Sequence, residues 1–129
     1  MKKLFATLVL CLMTLPASAD EVMGEYLAWL GPEDIYNSSG VRLTSFGSIL
    51  AQDRANFHRF GIRHDLDTTD RFFGDRATRS RLPGLYDAGR RVEAYIINDV
   101  LSGRGHYVYI QVIGRNGRIT RVDVYEGAG

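Results

Sequence analysis

The chain has 129 residues, of which 45% are hydrophobic and 24% charged, and Cys11 is its single cysteine. Lys2 and Lys3 are the only lysines, so the rest of the chain carries 14 arginines against 15 acidic residues, a net charge of about −1. This balance argues against nucleic-acid binding through net charge. Because Cys11 is the only cysteine, the chain can form no internal disulfide, and residues 20–129 contain no thiolate that could bind a metal. Exclusive use of arginine fits either codon bias or bidentate recognition of carboxylates and phosphates.

The N-terminus has the pattern of a secretory signal peptide. The two lysines precede a continuous apolar run, and Ala-Ser-Ala at residues 17–19 matches an A-x-A cleavage site. We therefore expect a signal peptide over residues 1–19 and cleavage between Ala19 and Asp20. The mature protein is then periplasmic or secreted.

Residues 20–129 are long enough for one domain with a single core and too short for two. Helical spacing dominates the first half of this stretch, and strand alternation dominates its last third. This order predicts an α+β domain with two to three N-terminal helices packed on a C-terminal antiparallel sheet of three or more strands. No membrane span is expected after removal of the signal.

A first helix is predicted over residues 21–30, because apolar residues cluster there before the stop signal Gly31-Pro32. Trp29 is the only tryptophan. We interpret it as the packing anchor of this helix, with a ligand platform as the alternative.

The strongest helical pattern begins at a cap on Thr44 or Ser45 and ends at Gly61. His58 falls in its last turn, where the helix dipole favours a cation. The apolar residues predicted to face the core are Phe46, Ile49, Leu50, Phe57 and Phe60. The polar residues predicted to face outward are Gln52, Asp53, Arg54, Asn56 and Arg59.

The next segment gathers one histidine and three carboxylates on a predicted loop, a donor set that suits a hard cation such as calcium. The candidate ligands are His64, Asp65, Asp67 and Asp70. The spacing departs from an EF-hand loop, because Asp70 stands where that loop requires glycine. We favour the alternative, in which Asp65 and Asp67 are solvated and Thr68, Thr69 or Asp70 caps a short helix. The arginine-rich residues 76–91 are predicted to form a loop, either anion-binding or simply solvated.

Three strands are predicted in the C-terminal third, over residues 91–98, 106–113 and 118–125. A two-residue turn at Asn116-Gly117 would place charged residues on the apolar face. We therefore predict a three-residue loop with a G1 bulge at Gly117. The last strand is expected to leave an unpaired sheet edge.

The predicted register pairs Val108 with Val124, Ile110 with Val122 and Val112 with Thr120 on the core face. The opposite face is rich in tyrosine and polar residues, a composition that suits binding. The candidate binding residues, paired in this register, are Tyr107 with Tyr125, Tyr109 with Asp123, and Gln111 with Arg121. Ordinary cross-strand stabilisation, worth about 0.2–1 kcal/mol per pair, is the alternative.

These patterns favour a small exported, non-catalytic binding module that holds an envelope protein or component without a cofactor. The alternative is a secreted hydrolase such as a metal-independent ribonuclease, with Glu93, His106 and Arg121 supplying base, acid and phosphate contact. A structural hydrogen bond from His106 to Glu126 is the simpler interpretation of that histidine.

Overall fold

The computed structural model describes residues 14–15 and 17–128, so most of the predicted signal peptide lies outside the described residues. The strands are β1 (Glu21–Leu30), β2 (His106–Arg115) and β3 (Arg118–Glu126). The helices are a 3-10 helix (Pro32–Ile35), α1 (Phe46–His58), α2 (Arg76–Ser80), α3 (Leu82–Asp87) and α4 (Ala94–Leu101). The fold is α+β, as predicted, with one antiparallel sheet in the order β1-β2-β3 and the helices packed on one of its faces. No helix in this part of the chain is long and apolar enough to cross a membrane.

Strand β1 occupies residues 21–30, where a helix was predicted, so that prediction is wrong. Tyr26 and Leu30 are buried in the core, whereas Leu27 and Trp29 lie half-buried on the other face. Because both faces carry apolar side chains, the period-two alternation of a strand was hidden in the sequence. The helices therefore follow the first strand instead of preceding the sheet.

Helix α4 likewise replaces most of the strand predicted over residues 91–98. Ile96 and Val100 are both buried and lie one helical turn apart. That spacing presents an apolar stripe to the core, which outweighs the strand propensity of isoleucine and valine. The arginine-rich residues 76–91 are also not simply a loop, since α2 and α3 lie within them.

The β2–β3 hairpin turns through two residues, so the predicted three-residue loop is wrong. Arg115 pairs with Arg118, and Asn116 and Gly117 between them have φ values of 52° and 74°, as a type I′ turn requires. Thr120 is then an extra residue on β3 that faces no partner on β2. This bulge restores the apolar face that a regular two-residue hairpin would have inverted.

Beyond the bulge, Ile110 pairs with Val124 and Val112 pairs with Val122. The pairs differ from the predicted ones by two residues, and a shift of two leaves every side chain on its predicted face. The predicted core face is therefore correct for these four side chains, which are fully buried, although the register is wrong. Thr120, which was predicted on the core face opposite Val112, is instead the exposed bulge residue.

Helix α1 begins as predicted, because the Ser45 hydroxyl accepts a hydrogen bond from the Ser48 N–H at 3.3 Å. Phe57 is buried, but Phe60 lies beyond the helix and is 46% exposed, so its assignment to the core is wrong. Three of the polar residues predicted to face outward are instead buried: Asp53, Arg54 and Asn56.

Both outer strands are hydrogen-bonded to loop backbone. The Thr68 N–H donates to the Leu27 carbonyl on β1 at 2.9 Å, and the Val124 N–H on β3 donates to the Arg90 carbonyl at 2.9 Å. The last strand therefore does not have the fully unpaired edge that was expected.

Candidate functional site

The sheet surface opposite the helices is the candidate site, and we call it the outer face. The structure brings together on it all six residues predicted for binding, and β1 adds three more. The outer face consists of Glu25, Leu27 and Trp29 from β1, Tyr107, Tyr109 and Gln111 from β2, and Arg121, Asp123 and Tyr125 from β3. The β1 contribution was missed because that segment was predicted as a helix. Because residues 26–30 are apolar on both faces, no polar–apolar alternation in the sequence marks this segment as a strand.

Tyr109 and Tyr125 lie opposite each other on this face, with ring centroids 6.1 Å apart, in place of the predicted pairing of Tyr107 with Tyr125. The Tyr109 hydroxyl is hydrogen-bonded to the Glu25 carboxylate, and this bond raises the pKa of Tyr109. The Arg90 guanidinium lies 4.5 Å from the centroid of the Tyr125 ring. Both rings are therefore held in place by neighbours, which lowers the entropic cost of binding a ligand.

Trp29 and Tyr107 form a second aromatic pair, with ring centroids 4.8 Å apart. Gly105 lies against the indole with φ of 77°, and a β-carbon at that position would overlap the Trp29 ring. Trp29 therefore anchors no helix. Its ring is part of the outer face, positioned by a glycine that allows close approach.

A cleft of about 340 Å³ opens beside this second pair. Its lining residues are Trp29, Arg63, His64, Asp65 and Tyr107. The His64 ring is fixed by two carboxylates, with Nε2 2.6 Å from Glu33 Oε1 and Nδ1 3.3 Å from Asp67 Oδ2. The cleft thus combines an aromatic wall with polar groups held on one loop.

At the opposite end of the outer face, Asp20 bridges two arginines. Its carboxylate accepts hydrogen bonds from Arg121 Nη1 at 2.5 Å and Arg115 Nη2 at 2.7 Å, and these bonds lower the pKa of Asp20. Arg121 Nε also donates to Asp123 Oδ1 at 3.1 Å. Because Asp20 is the first residue after the predicted cleavage site, processing at that site would retain this carboxylate.

The three residues of the hydrolase alternative are not brought together. His106 begins β2, whereas Arg121 on β3 faces Ile113, seven residues further along β2. At about 3.3 Å per residue, the two lie roughly 23 Å apart along the sheet. Glu93 lies outside the sheet, immediately before α4. His106 Nε2 is instead 3.2 Å from Glu126 Oε1, as the simpler interpretation predicts.

The four candidate metal ligands are also divided between different surroundings. Asp65 is exposed, as predicted, and Asp70 Oδ2 is 3.2 Å from Arg54 Nη1. Asp67 lies beside His64 with its side chain buried, so the prediction that it is solvated is wrong. Across residues 17–128, no group of three or more histidine, cysteine or acidic side chains is arranged to hold a metal ion.

Helix α1 carries a buried charged network that its helical spacing did not reveal. Arg54 is fully buried, and its guanidinium donates to Asp53 Oδ2 at 2.8 Å and to Asp70 Oδ2 at 3.2 Å. It also lies 4.2 Å from the centroid of the Tyr26 ring and 4.5 Å from that of Phe57. One arginine thereby joins α1, β1 and the loop before α2.

Asp34, from the 3-10 helix, is buried against the same helix. Its Oδ1 accepts from Asn56 Nδ2 and its Oδ2 from the Gly31 N–H, both at 2.9 Å. Burial raises the pKa of Asp34 to about 8 and that of Asp53 to about 6. Since both carboxyl groups are buried and each is hydrogen-bonded to neighbouring residues of the fold, we assign them to stability and not to ligand binding.

No protein-family model, no curated protein and no solved structure gives a significant match to the chain.

Proposed function

We propose that this protein is an exported, non-catalytic binding module that holds an envelope protein against its outer face. The observation that supports this most is the concentration of half-buried aromatic side chains on a regular sheet. They are Trp29, Tyr107, Tyr109 and Tyr125. Tyrosine and tryptophan are enriched at the energetic centre of protein interfaces, because they bury a large area at a small loss of side-chain entropy.

Polar groups of both signs surround these rings. Glu25 lies beside Tyr109, and Arg121 with its partners Asp20 and Asp123 occupies the other end of the face. A polar rim around an aromatic centre is the arrangement expected of a reversible protein interface. The partner chemistry we propose is therefore a folded protein surface with an apolar centre and mixed charges.

The test is capture of the partner from the envelope. The full-length gene product with a C-terminal tag is expressed in its own host, recovered after export, and its bound proteins are identified by mass spectrometry. We expect a reproducible partner with the wild-type chain and its loss with Tyr109→Ala. The fold should survive, because a cross-strand pair contributes only about 0.2–1 kcal/mol.

Tyr36→Ala is the matched control, since Tyr36 is 43% exposed and lies outside the outer face. It should retain the partner. Equal capture by wild type and Tyr109→Ala would contradict the proposal, as would equal loss in both variants. Circular dichroism of each variant separates loss of binding from loss of folding.

The hydrolase alternative is tested separately by His106→Ala. The contact between His106 and Glu126 favours a structural role, which predicts a lower melting temperature and no lost activity on an RNA substrate. Loss of a ribonuclease activity at an unchanged melting temperature would instead support catalysis.

A further inference from the structure

A cationic cleft lies away from the outer face, between the end of α1 and the start of α2. It has a volume of about 390 Å³. We call it the arginine cleft, and its lining residues are His58, Arg59, Gly74, Arg76 and Arg79. Three of these five residues are arginines and a fourth, His58, becomes a cation on protonation. No acidic residue is among the five.

Arg79 is the buried arginine among the lining residues of this cleft. It is only 8% exposed, and its Nη1 donates to the carbonyls of Phe73 at 2.9 Å and Gly74 at 3.2 Å. The other N–H groups of its guanidinium have no hydrogen-bond partner among the described residues. The side chain is thus held by the hydrogen bonds of Nη1, and the other N–H groups of the guanidinium can donate to another acceptor.

The neighbouring arginines are not neutralised by ion pairs. Within residues 17–128, neither Arg59 nor Arg76 has a carboxylate within 4.0 Å, in contrast to Arg121 on the outer face, which contacts two. The nearest acidic group of the buried network, Asp70, is turned toward Arg54 and His58. Of the nearby carboxylates, Asp70 is paired with His58, and Asp75 interacts with Arg79 without a direct ion pair. Because three arginines line the cleft, its net charge remains positive.

Gly74 lies beside His58 in the lining of the cleft. It is exposed, and a β-carbon there would lie 3.6 Å from His58 Nδ1, which is ordinary van der Waals contact. The Nδ1 side of His58 thus faces Gly74, while Nε2 is bound to Asp70 at 2.8 Å.

We propose that the arginine cleft binds a phosphate group through the guanidinium groups of Arg59, Arg76 and Arg79. A phosphate has several oxygens that accept hydrogen bonds from different directions, which matches donors arriving from three separate side chains. A phosphorylated small molecule and the head group of an anionic phospholipid share this chemistry. The site is independent of the outer face, so the protein would carry two separate binding surfaces.

The test uses inorganic phosphate and the exported, processed protein. Amide chemical shifts are followed by NMR during a phosphate titration in which sodium chloride holds the ionic strength constant. We expect saturable shifts centred on Gly74 and on the end of α1. Arg76→Gln and Arg59→Gln should each weaken binding about tenfold, the effect of removing one charge-assisted hydrogen bond.

Arg118→Gln is the control, because Arg118 is exposed, does not line the cleft and makes the same change in net charge. It should leave phosphate binding unchanged. An equal loss in all three variants, or shifts that do not saturate, would overturn the proposal. Both cleft substitutions are at exposed positions, so an unchanged melting temperature is expected and rules out unfolding as the cause.

Vesicles distinguish the two sources of phosphate. Co-sedimentation with phosphatidylglycerol vesicles that is absent with phosphatidylcholine and is displaced by free phosphate would assign the site to a lipid head group. Phosphate binding without co-sedimentation would assign it to a soluble phosphate ester. Binding of neither probe would overturn the proposal.

Discussion

The two sides of this molecule invert the usual distribution of polar and apolar groups. On the α1 side, Arg54, Asp53 and Asp34 are buried among aromatic and aliphatic side chains. On the outer face, Trp29 and Tyr109 remain half-exposed. Buried charges are retained only where partners satisfy them, and aromatic surface is left accessible only at some cost in solubility. The comparison supports the assignment of the first region to stability, and it agrees with our proposal that the second serves recognition.

The largest effect is expected from Arg54→Met, which would remove the ion-pair partner of buried Asp53 and leave buried Asp70 with its contact to His58. Removing one partner of a buried ion pair lowers the free energy of unfolding by about 3–5 kcal/mol. Arg59→Met is the control in the same segment, because Arg59 is exposed, and it should change the free energy of unfolding by less than about 0.5 kcal/mol. Urea denaturation measures both. Similar small losses in the two variants would show that the network does not stabilise the fold.

The second expected effect is a pH dependence of the free energy of unfolding, which arises from Asp34. Its pKa is raised from 3.8 to about 8, chiefly by burial. Between these values the folded protein keeps a proton that the unfolded chain has lost. This contribution to stability is complete below pH 3.8 and is lost as the pH rises through about 8.

Asp34→Asn removes that titration. The wild-type protein should lose stability relative to this variant between pH 5 and pH 8, by at most about 1.4 kcal/mol per pH unit. Asp65→Asn, at an exposed loop carboxylate, should follow the wild-type slope. Parallel curves for wild type and Asp34→Asn in urea titrations at several pH values would contradict the buried assignment.

A smaller loss of stability than that of Arg54→Met is expected from alanine at Gly105, beside Trp29 of the outer face, and Gly40 on an ordinary surface is its control. Gly105 and Gly40 have the same φ of 77°, but a β-carbon at Gly105 would meet the Trp29 ring, whereas Gly40 has open space around it. Alanine at either position incurs the left-handed penalty of about 1–2 kcal/mol. Gly105→Ala should cost a further 1–3 kcal/mol or so from overpacking and shift the Trp29 emission. Equal losses in thermal unfolding would show that the indole is not held as described.

Local signals in the sequence were sufficient for some elements. The Ser45 cap and the alternation of β2 and β3 are encoded within a few residues, and both are present. The Asn116-Gly117 turn is also local, but the compensating bulge at Thr120 depends on which face must be buried.

The wrong predictions concern residues whose structure depends on contacts with distant parts of the chain. Arg54 is buried because Asp70, 16 residues away, turns toward it, and helical spacing contains no information on that contact. Residues 21–30 form a strand because β2, far along the chain, pairs with them and both of their faces are partly covered. Six of the nine outer-face residues were therefore predicted, and the three from β1 were not.

Site-specific photo-crosslinking in the living host tests the central claim most directly. A benzophenone amino acid replaces Tyr109 on the outer face in one strain and Tyr36, an exposed tyrosine elsewhere, in another. The account predicts that irradiation gives a discrete protein adduct from position 109 and none from position 36. No adduct at position 109, or the same adduct from both positions, would contradict the assignment of the outer face to recognition.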